Sequence, residues 1–152
     1  MPDAVILAAA LAAALAAAPV AIPASSAPAL AGSELVVTDA RVRALLPGQR
    51  HTVAYFAIEN RGPASVTLVS AESAAAGAME IHESRRDGDM YRMRRRAEVE
   101  IPARTTVRFD PGGLHLMLFD VQALGEQMEI ELRTSDGRRL KAIFNRIAAG
   151  AE

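Results

Sequence analysis

Downstream of Gly32 the chain alternates apolar and polar residues with a period of two, and this alternation limits the possible folds more than any other feature. Successive side chains of a β-strand point to opposite faces, so such alternation indicates strands with one buried face. Turn signals interrupt it at short intervals, among them Pro47-Gly48, Asp87-Gly88 and Asp136-Gly137. About eight or nine short strands separated by turns are typical of an all-β sandwich or barrel.

Three segments give the clearest predictions of individual strands and turns. Residues 52–60 contain an unbroken apolar run at 53–58, which predicts a strand buried on both faces. Residues 114–119 alternate strictly, with leucine at every second position. Residues 79–82 and 90–94 flank Asp87-Gly88, a dipeptide that is a strong hairpin signal. We therefore expect a hairpin centred on Asp87-Gly88.

The N-terminal segment has the pattern of a secretory signal peptide. Residues 4–18 contain only Ala, Val, Ile and Leu, and Ala29-Leu30-Ala31 fits a small-x-small cleavage site. The apolar run of about 15 residues is shorter than the ~20 of a spanning helix, so we favour cleavage over an uncleaved anchor. We expect a signal peptide at residues 1–31, a single domain at 32–152 and no stable membrane insertion. Without a cysteine to acylate, we do not expect a lipoprotein.

The charge balance gives no indication of nucleic-acid binding. The chain has 17 basic and 18 acidic residues, and one of the acids, Asp3, lies in the predicted signal peptide, so the remaining chain is formally neutral. One stretch is locally basic and contains Arg92, Arg94, Arg95 and Arg96. Such charges fit a solvated strand edge, where they discourage edge-to-edge pairing. The alternative is a docking surface for an acidic partner.

Two histidines and two methionines are the candidate metal ligands, and the chain contains no cysteine. The four residues are His82, Met93, His115 and Met117. Thioether sulfur is a soft donor that suits Cu(I), and imidazole suits copper generally. Structural zinc sites use Cys, His and carboxylate, and a blue-copper site needs a Cys thiolate. The set therefore favours holding Cu(I) over electron transfer.

Strand geometry brings these donors together in pairs. His115 and Met117 are two residues apart on one predicted strand, so they share the face opposite the leucines. With the turn centred on Asp87-Gly88, His82 and Met93 should be approximate cross-strand neighbours. Local patterns leave open whether this hairpin lies beside the strand of His115.

The remaining methionines and the third histidine have more ordinary interpretations. Met79 and Met128 alternate with polar residues, which predicts core positions, where Met commonly fills gaps. Met90 falls on the other face from Met93, and whether it assists as an auxiliary sulfur is open. His51 follows a turn and is expected at the surface.

Residues 36–147 resemble the periplasmic copper chaperones called the PCuAC family, which serve cytochrome oxidase assembly. The spacing of the family signature is His, ten residues, Met, twenty-one residues, His, one residue, Met, and this sequence meets it without insertion or deletion. Further matching segments are Ile81-His82-Glu83, Met90-Tyr91-Arg92-Met93-Arg94 and Pro111-Gly112-Gly113-Leu114-His115-Leu116-Met117-Leu118.

The resemblance implies a cupredoxin-like Greek-key β-barrel or sandwich that binds one Cu(I) through His82, Met93, His115 and Met117. It implies a periplasmic metallochaperone that passes copper to the copper-binding subunit of a terminal cytochrome oxidase or to a thiol-containing assembly factor. We expect a monomer.

Two other functions are compatible with the same sequence features. A copper-sequestering or resistance protein would hold the metal with the same residues and not deliver it. A β-sandwich interaction module would bind no metal. An enzyme is the least expected class, because no carboxylate pair or nucleophile–base set stands out.

Overall fold

The computed structural model describes residues 34–151, which form an all-β fold of ten strands. The strands are β1 Leu35–Arg43, β2 Thr52–Asn60, β3 Val66–Glu72, β4 Ala78–Asp87, β5 Met90–Arg96, β6 Val99–Ile101, β7 Thr105–Phe109, β8 Leu114–Phe119, β9 Gln127–Thr134 and β10 Arg139–Ile147. No helix that could cross a membrane occurs within residues 34–151. The predicted signal peptide lies outside the described residues.

The strands follow one hydrogen-bonded path in the order β5-β4-β8-β2-β1-β10-β9-β3-β6, and β7 also pairs with β2. Strand β1 joins the two halves of this path: it runs antiparallel to β2 and parallel to β10. Its register with β2 shifts between Thr38 and Arg41, around Asp39, which has a positive φ of 52°. A bulge of this kind bends a strand and increases its twist, which lets the sheet fold back on itself.

The core lies between the two halves of the path. Phe56 of β2 stacks on Phe109 of β7 at 4.2 Å between ring centroids, and Phe144 of β10 meets Phe56 edge-on at 5.7 Å. Leu116 and Leu118 of β8 are fully buried in the same cluster. The predicted all-β class and the inward-facing leucines of β8 are therefore confirmed.

The expectations for the residues outside the candidate site are also confirmed. Met128 is buried in the core and Met79 packs against it while partly buried. His51 is exposed at the surface. Strand β2 is buried along nearly its whole length, as its apolar sequence predicts.

Strand β5 forms an edge of the described sheet, and all seven of its residues are exposed. Three of its four arginines pair with carboxylates of β4: Arg92 with Asp87 at 3.0 Å, Arg95 with Glu80 at 3.6 Å, and Arg96 with Glu83 at 3.3 Å. The basic stretch is thus a solvated strand edge, and these carboxylates offset much of its charge. This arrangement favours protection of the edge over docking of an acidic partner.

Candidate metal centre

The pairing of β4 with β8 brings the two candidate histidines together. His82 is directly opposite His115 in the antiparallel register, and their ring centroids are 6.0 Å apart. Directly opposite residues share a face, and Met117 shares it because it follows His115 by two residues. The question left open by local patterns is thereby answered, since the hairpin lies directly beside the strand of His115.

The predicted cross-strand pairing of His82 with Met93 is wrong by two residues. His82 is opposite Arg95, and Met93 is opposite Ser84. The turn residues are Gly88 and Asp89, because Asp87 pairs with Met90. Gly88, with φ of +63°, occupies the first turn position, as in a type II′ turn, whereas the prediction centred the turn on Asp87-Gly88.

The two-residue shift keeps Met93 on the same face as His82 but moves it along the strand. Two residues of an antiparallel strand span about 7 Å. Met93 is therefore a diagonal neighbour of His82, at one end of a band of donors with the histidines in the middle and Met117 at the other end.

His115 is held by the turn that precedes its strand. Its Nδ1–H donates to the carbonyl of Gly113 at 3.0 Å, and the amide of Ser84 on β4 donates to the same carbonyl at 2.9 Å. The residue is only 4% exposed. Burial lowers the pKa of His115 below its ordinary value, against the opposing effect of the Gly113 hydrogen bond. The other ring nitrogen, Nε2, is buried and has no hydrogen-bond partner among the described residues.

The hydrogen bond of His82 engages Nε2, whereas that of His115 engages Nδ1. Its Nε2 lies 2.8 Å from a carboxylate oxygen of Glu80, two residues earlier on the same face of β4. This hydrogen bond lowers the pKa of the Glu80 carboxyl. Nδ1 of His82 is buried and lacks a partner in the part of the chain that the structure describes. The ring of Phe119 lies 6.4 Å away between centroids and gives the site an apolar neighbour.

The methionines differ in exposure. Met93 is 53% exposed on the edge strand, whereas Met117 is half-buried and lines a surface cavity of about 270 Å³ together with His51. Met90 is 60% exposed and, by strand alternation, lies on the other face from Met93, as expected.

The donor set fits a soft cation. A buried polar atom without a hydrogen-bond partner costs about 1–3 kcal/mol, so two such nitrogens on one sheet face point to a ligand as their partner. Within residues 34–151 no group of three or more His, Cys, Asp and Glu side chains could hold a metal ion. The thioethers of Met93 and Met117 share this face with the two imidazoles, and a combination of thioether and imidazole donors suits Cu(I).

Sequence reasoning did not single out Glu80, Gly113 or Phe119. Strand alternation gave a usable signal for Glu80, because residues 80 and 82 of one strand share a face. The contacts of Gly113 and Phe119 depend on the pairing of β4 with β8, which local patterns leave open.

Solved structures of PCuAC domains share this fold. The copper-bound PCuAC domain from PmoF2 matches with a TM-score of 0.67 at 20% identity, covering 78% of this chain and 96% of that domain. The solution structure of the Cu(I) form of DR1885 from Deinococcus radiodurans matches with a TM-score of 0.60 at 28% identity, covering 84% of this chain and 85% of that protein. The fold is thus the cupredoxin-like fold of PCuAC domains, and the resemblance drawn from the sequence is confirmed.

Sequence comparison places the chain in a family. The model described as "Putative lipoprotein LpqE-like" matches residues 35–144. A relative from Leifsonia xyli subsp. xyli (strain CTCB07), named "Putative lipoprotein Lxx21020", is 32% identical over 94 residues, which cover 59% of this chain and 57% of the relative. The match thus spans a little over half the length of that relative. The chain belongs to the LpqE-like family.

Proposed function

We propose that this protein binds one Cu(I) ion through His82, Met93, His115 and Met117. The observation that carries the proposal is the pair of buried imidazole nitrogens without hydrogen-bond partners among residues 34–151, on the sheet face that also carries both methionines. The Cu(I) form of DR1885, at 28% identity, supports the choice of metal. Neutral imidazole and thioether donors leave the bound ion with its single positive charge.

Copper is the cargo in this proposal, and the protein is a periplasmic metallochaperone. It delivers copper to the copper centre of a terminal oxidase, either directly or through a thiol-containing assembly factor. The exposure of Met93 on an edge strand supports transfer, because an incoming ligand can replace this sulfur before it reaches partly buried His82 and buried His115. The lipoprotein names of the family and of the Leifsonia relative support export to the cell envelope.

The binding proposal is tested by anaerobic Cu(I) titration against a chromophoric chelator. The wild-type protein should bind one equivalent. Met117→Leu and Met93→Leu keep an apolar side chain of similar size and remove the sulfur. Each should weaken binding by more than about tenfold, since even loss of an outer partner of a metal ligand costs about 10- to 100-fold.

Two matched controls change residues near the proposed ligands, one on β5 and one just before β2. Met90→Leu changes an exposed methionine on the other face of β5, and His51→Gln changes an exposed histidine that lines the cavity beside Met117. Both variants should bind like the wild type. Unchanged affinity in both Met117→Leu and Met93→Leu would contradict the ligand assignment.

Delivery is separated from sequestration by a transfer assay. The Cu(I)-loaded protein is mixed with an apo oxidase copper domain, alone and with a reduced thiol protein, and copper on each component is measured after separation. If the protein is a chaperone, its Cu(I)-loaded form should load the recipient faster than a Cu(I)–chelator complex does. Retention of the metal under all conditions would favour the sequestering function.

A further inference from the structure

We propose that Glu80 is a positioning residue for the copper site, which fixes His82 in the Nε2–H tautomer so that Nδ1 is the nitrogen offered to the metal. This inference rests on the proposed Cu(I) site and adds to it a role for a carboxylate outside the ligand set. The supporting contacts involve Glu80 of β4 and Arg95 of β5. Neither residue is part of the His and Met spacing pattern.

The tautomer follows from the chemistry of the two hydrogen-bond partners. A carboxylate without a proton only accepts hydrogen bonds, so Nε2 of His82 must donate to Glu80 across the 2.8 Å contact. In a neutral ring the lone pair then resides on Nδ1, the buried nitrogen without a partner in the described chain. At His115 the carbonyl of Gly113 binds the Nδ1–H instead and leaves the lone pair on Nε2. The two imidazoles thus offer different nitrogens.

Arg95 holds Glu80 in place from the edge strand. Its Nε lies 3.6 Å from the second carboxylate oxygen of Glu80, and Arg95 is directly opposite His82 in the β4–β5 register. Carboxylate–histidine–metal arrangements orient the ring and raise its basicity, and their loss typically weakens metal binding by 10- to 100-fold. The Arg95–Glu80–His82 chain has the composition of such an arrangement.

Two simpler roles for Glu80 predict different behaviour. If Glu80 acted only through its negative charge near a cation, Glu80→Gln and Glu80→Ala would both weaken Cu(I) binding and neither would change the His82 tautomer of the metal-free protein. If it only stabilised the sheet, its loss would lower stability and leave the His82 tautomer unchanged. Positioning predicts that both variants change the tautomer: Ala offers Nε2 no acceptor, and Gln, whose single side-chain oxygen faces the Arg95 donor, turns an N–H donor toward Nε2 and favours the Nδ1–H form.

The first measurement uses the metal-free protein. Long-range ¹H–¹⁵N correlation spectra at about pH 8, above the ordinary histidine pKa of about 6.5, report which ring nitrogen carries the proton. The wild type should show His82 as a single Nε2–H tautomer, and Glu80→Gln should shift it toward the Nδ1–H form. Glu80→Ala should show a mixture, while His115 stays in its Nδ1–H form. A single Nε2–H tautomer in Glu80→Ala would overturn the proposal.

The second measurement is the Cu(I) affinity of the same variants by chelator competition. Glu80→Ala and Glu80→Gln should each bind about 10- to 100-fold more weakly than the wild type. Glu83→Ala is the matched control, because Glu83 is on the opposite face of β4 and pairs with Arg85 and Arg96. Equal affinity of Glu80→Ala and the wild type would overturn the positioning role.

The two measurements separate this inference from the proposed function. Absence of Cu(I) binding by the wild type would defeat the copper proposal, while the apo spectra would still decide whether Glu80 sets the tautomer. Tight wild-type binding with an unaltered tautomer in Glu80→Ala would defeat the inference alone.

Discussion

The burial of His115 links the stability of the metal-free protein to pH. The unfolded chain should titrate near the ordinary histidine pKa of about 6.5, whereas burial lowers the pKa of His115 in the folded protein. Below about pH 6.5 the unfolded state therefore binds a proton that the folded state does not yet accept. The contribution of neutral His115 to stability is fully present above that pH and is lost as the pH falls to the folded pKa.

We predict that the free energy of unfolding of the apo protein falls as the pH is lowered below about 6.5, partly through His115. Urea denaturation at a series of pH values measures this fall. His115→Gln cannot titrate and should show a shallower decline, whereas His51→Gln, which alters an exposed histidine, should keep the wild-type slope. Identical slopes in the wild type and His115→Gln would contradict the prediction.

The same burial modifies the acid tolerance expected of the metal site. Sequence alone predicts that protons compete with copper near the ordinary pKa of histidine, about 6.5. For His115 that competition should begin at a lower pH, because desolvation disfavours the protonated ring.

Residue types and spacing were sufficient to predict the four candidate ligands. Which ring nitrogen of His82 and of His115 carries the proton depends on Glu80 and Gly113, whose contacts form only in the folded sheet.

At the level of elements, the β4–β5 hairpin sets where Met93 lies, and its register depends on one glycine. Gly88 has a φ of +63°, a left-handed backbone conformation that residues with a Cβ atom rarely adopt. We predict that Gly88→Ala destabilises the protein by about 1–3 kcal/mol or shifts the hairpin register. Urea denaturation measures the first effect and cross-strand nuclear Overhauser contacts between Ser84 and Met93 report the second.

The control for this turn is Gly125→Ala. Gly125 has no positive φ, and an added Cβ there would make only ordinary contacts with Gln127. This variant should therefore keep both the wild-type stability and the Ser84–Met93 contact. A Gly88→Ala protein indistinguishable from Gly125→Ala in both measurements would show that the turn does not need its glycine.

The hairpin also shows how far local sequence can specify an element. Alternation predicted which residues of β8 face the core, because leucine at every second position admits one burial pattern. It did not predict the hairpin register, because Asp87-Gly88 and Gly88-Asp89 are both good two-residue turns. The structure has the second, with Gly88 in the left-handed conformation at the first turn position.

For the whole molecule, the fold class was predictable and the strand order was not. Local alternation and turn signals predicted eight or nine short strands, and the described residues form ten. The β4–β8 pairing, by contrast, joins His82 to His115 across 33 positions. Non-local pairings of this kind depend on which arrangement buries the apolar faces of all strands together. The Phe56, Phe109 and Phe144 cluster joins three separate strands in that shared core. Local patterns therefore predicted the four candidate ligands but not the pairing that brings His82 beside His115.

The proposed ligands come from three strands, so copper binding should stabilise the folded molecule as a whole. His82 is on β4, Met93 on β5, and His115 and Met117 on β8, and only folding assembles them. We predict that free Cu(I) at 100 times its dissociation constant raises the free energy of unfolding by about 2.7 kcal/mol. Anaerobic thermal unfolding with buffered Cu(I) measures this rise, and a metal-free interaction module would show none.

The stabilisation should be distributed unevenly, because β5 is an edge strand held to the sheet by β4 alone among the described strands. Bound copper adds a link from Met93 to the histidines, so amide hydrogen exchange should slow most in β5 and the Gly88–Asp89 turn. Met93→Leu removes that link and should lose the added protection in β5, while Met90→Leu should retain it. Equal slowing of exchange in β5 of both variants would mean that Met93 does not hold the metal. A thermal shift in the same samples would then be due to the remaining donors.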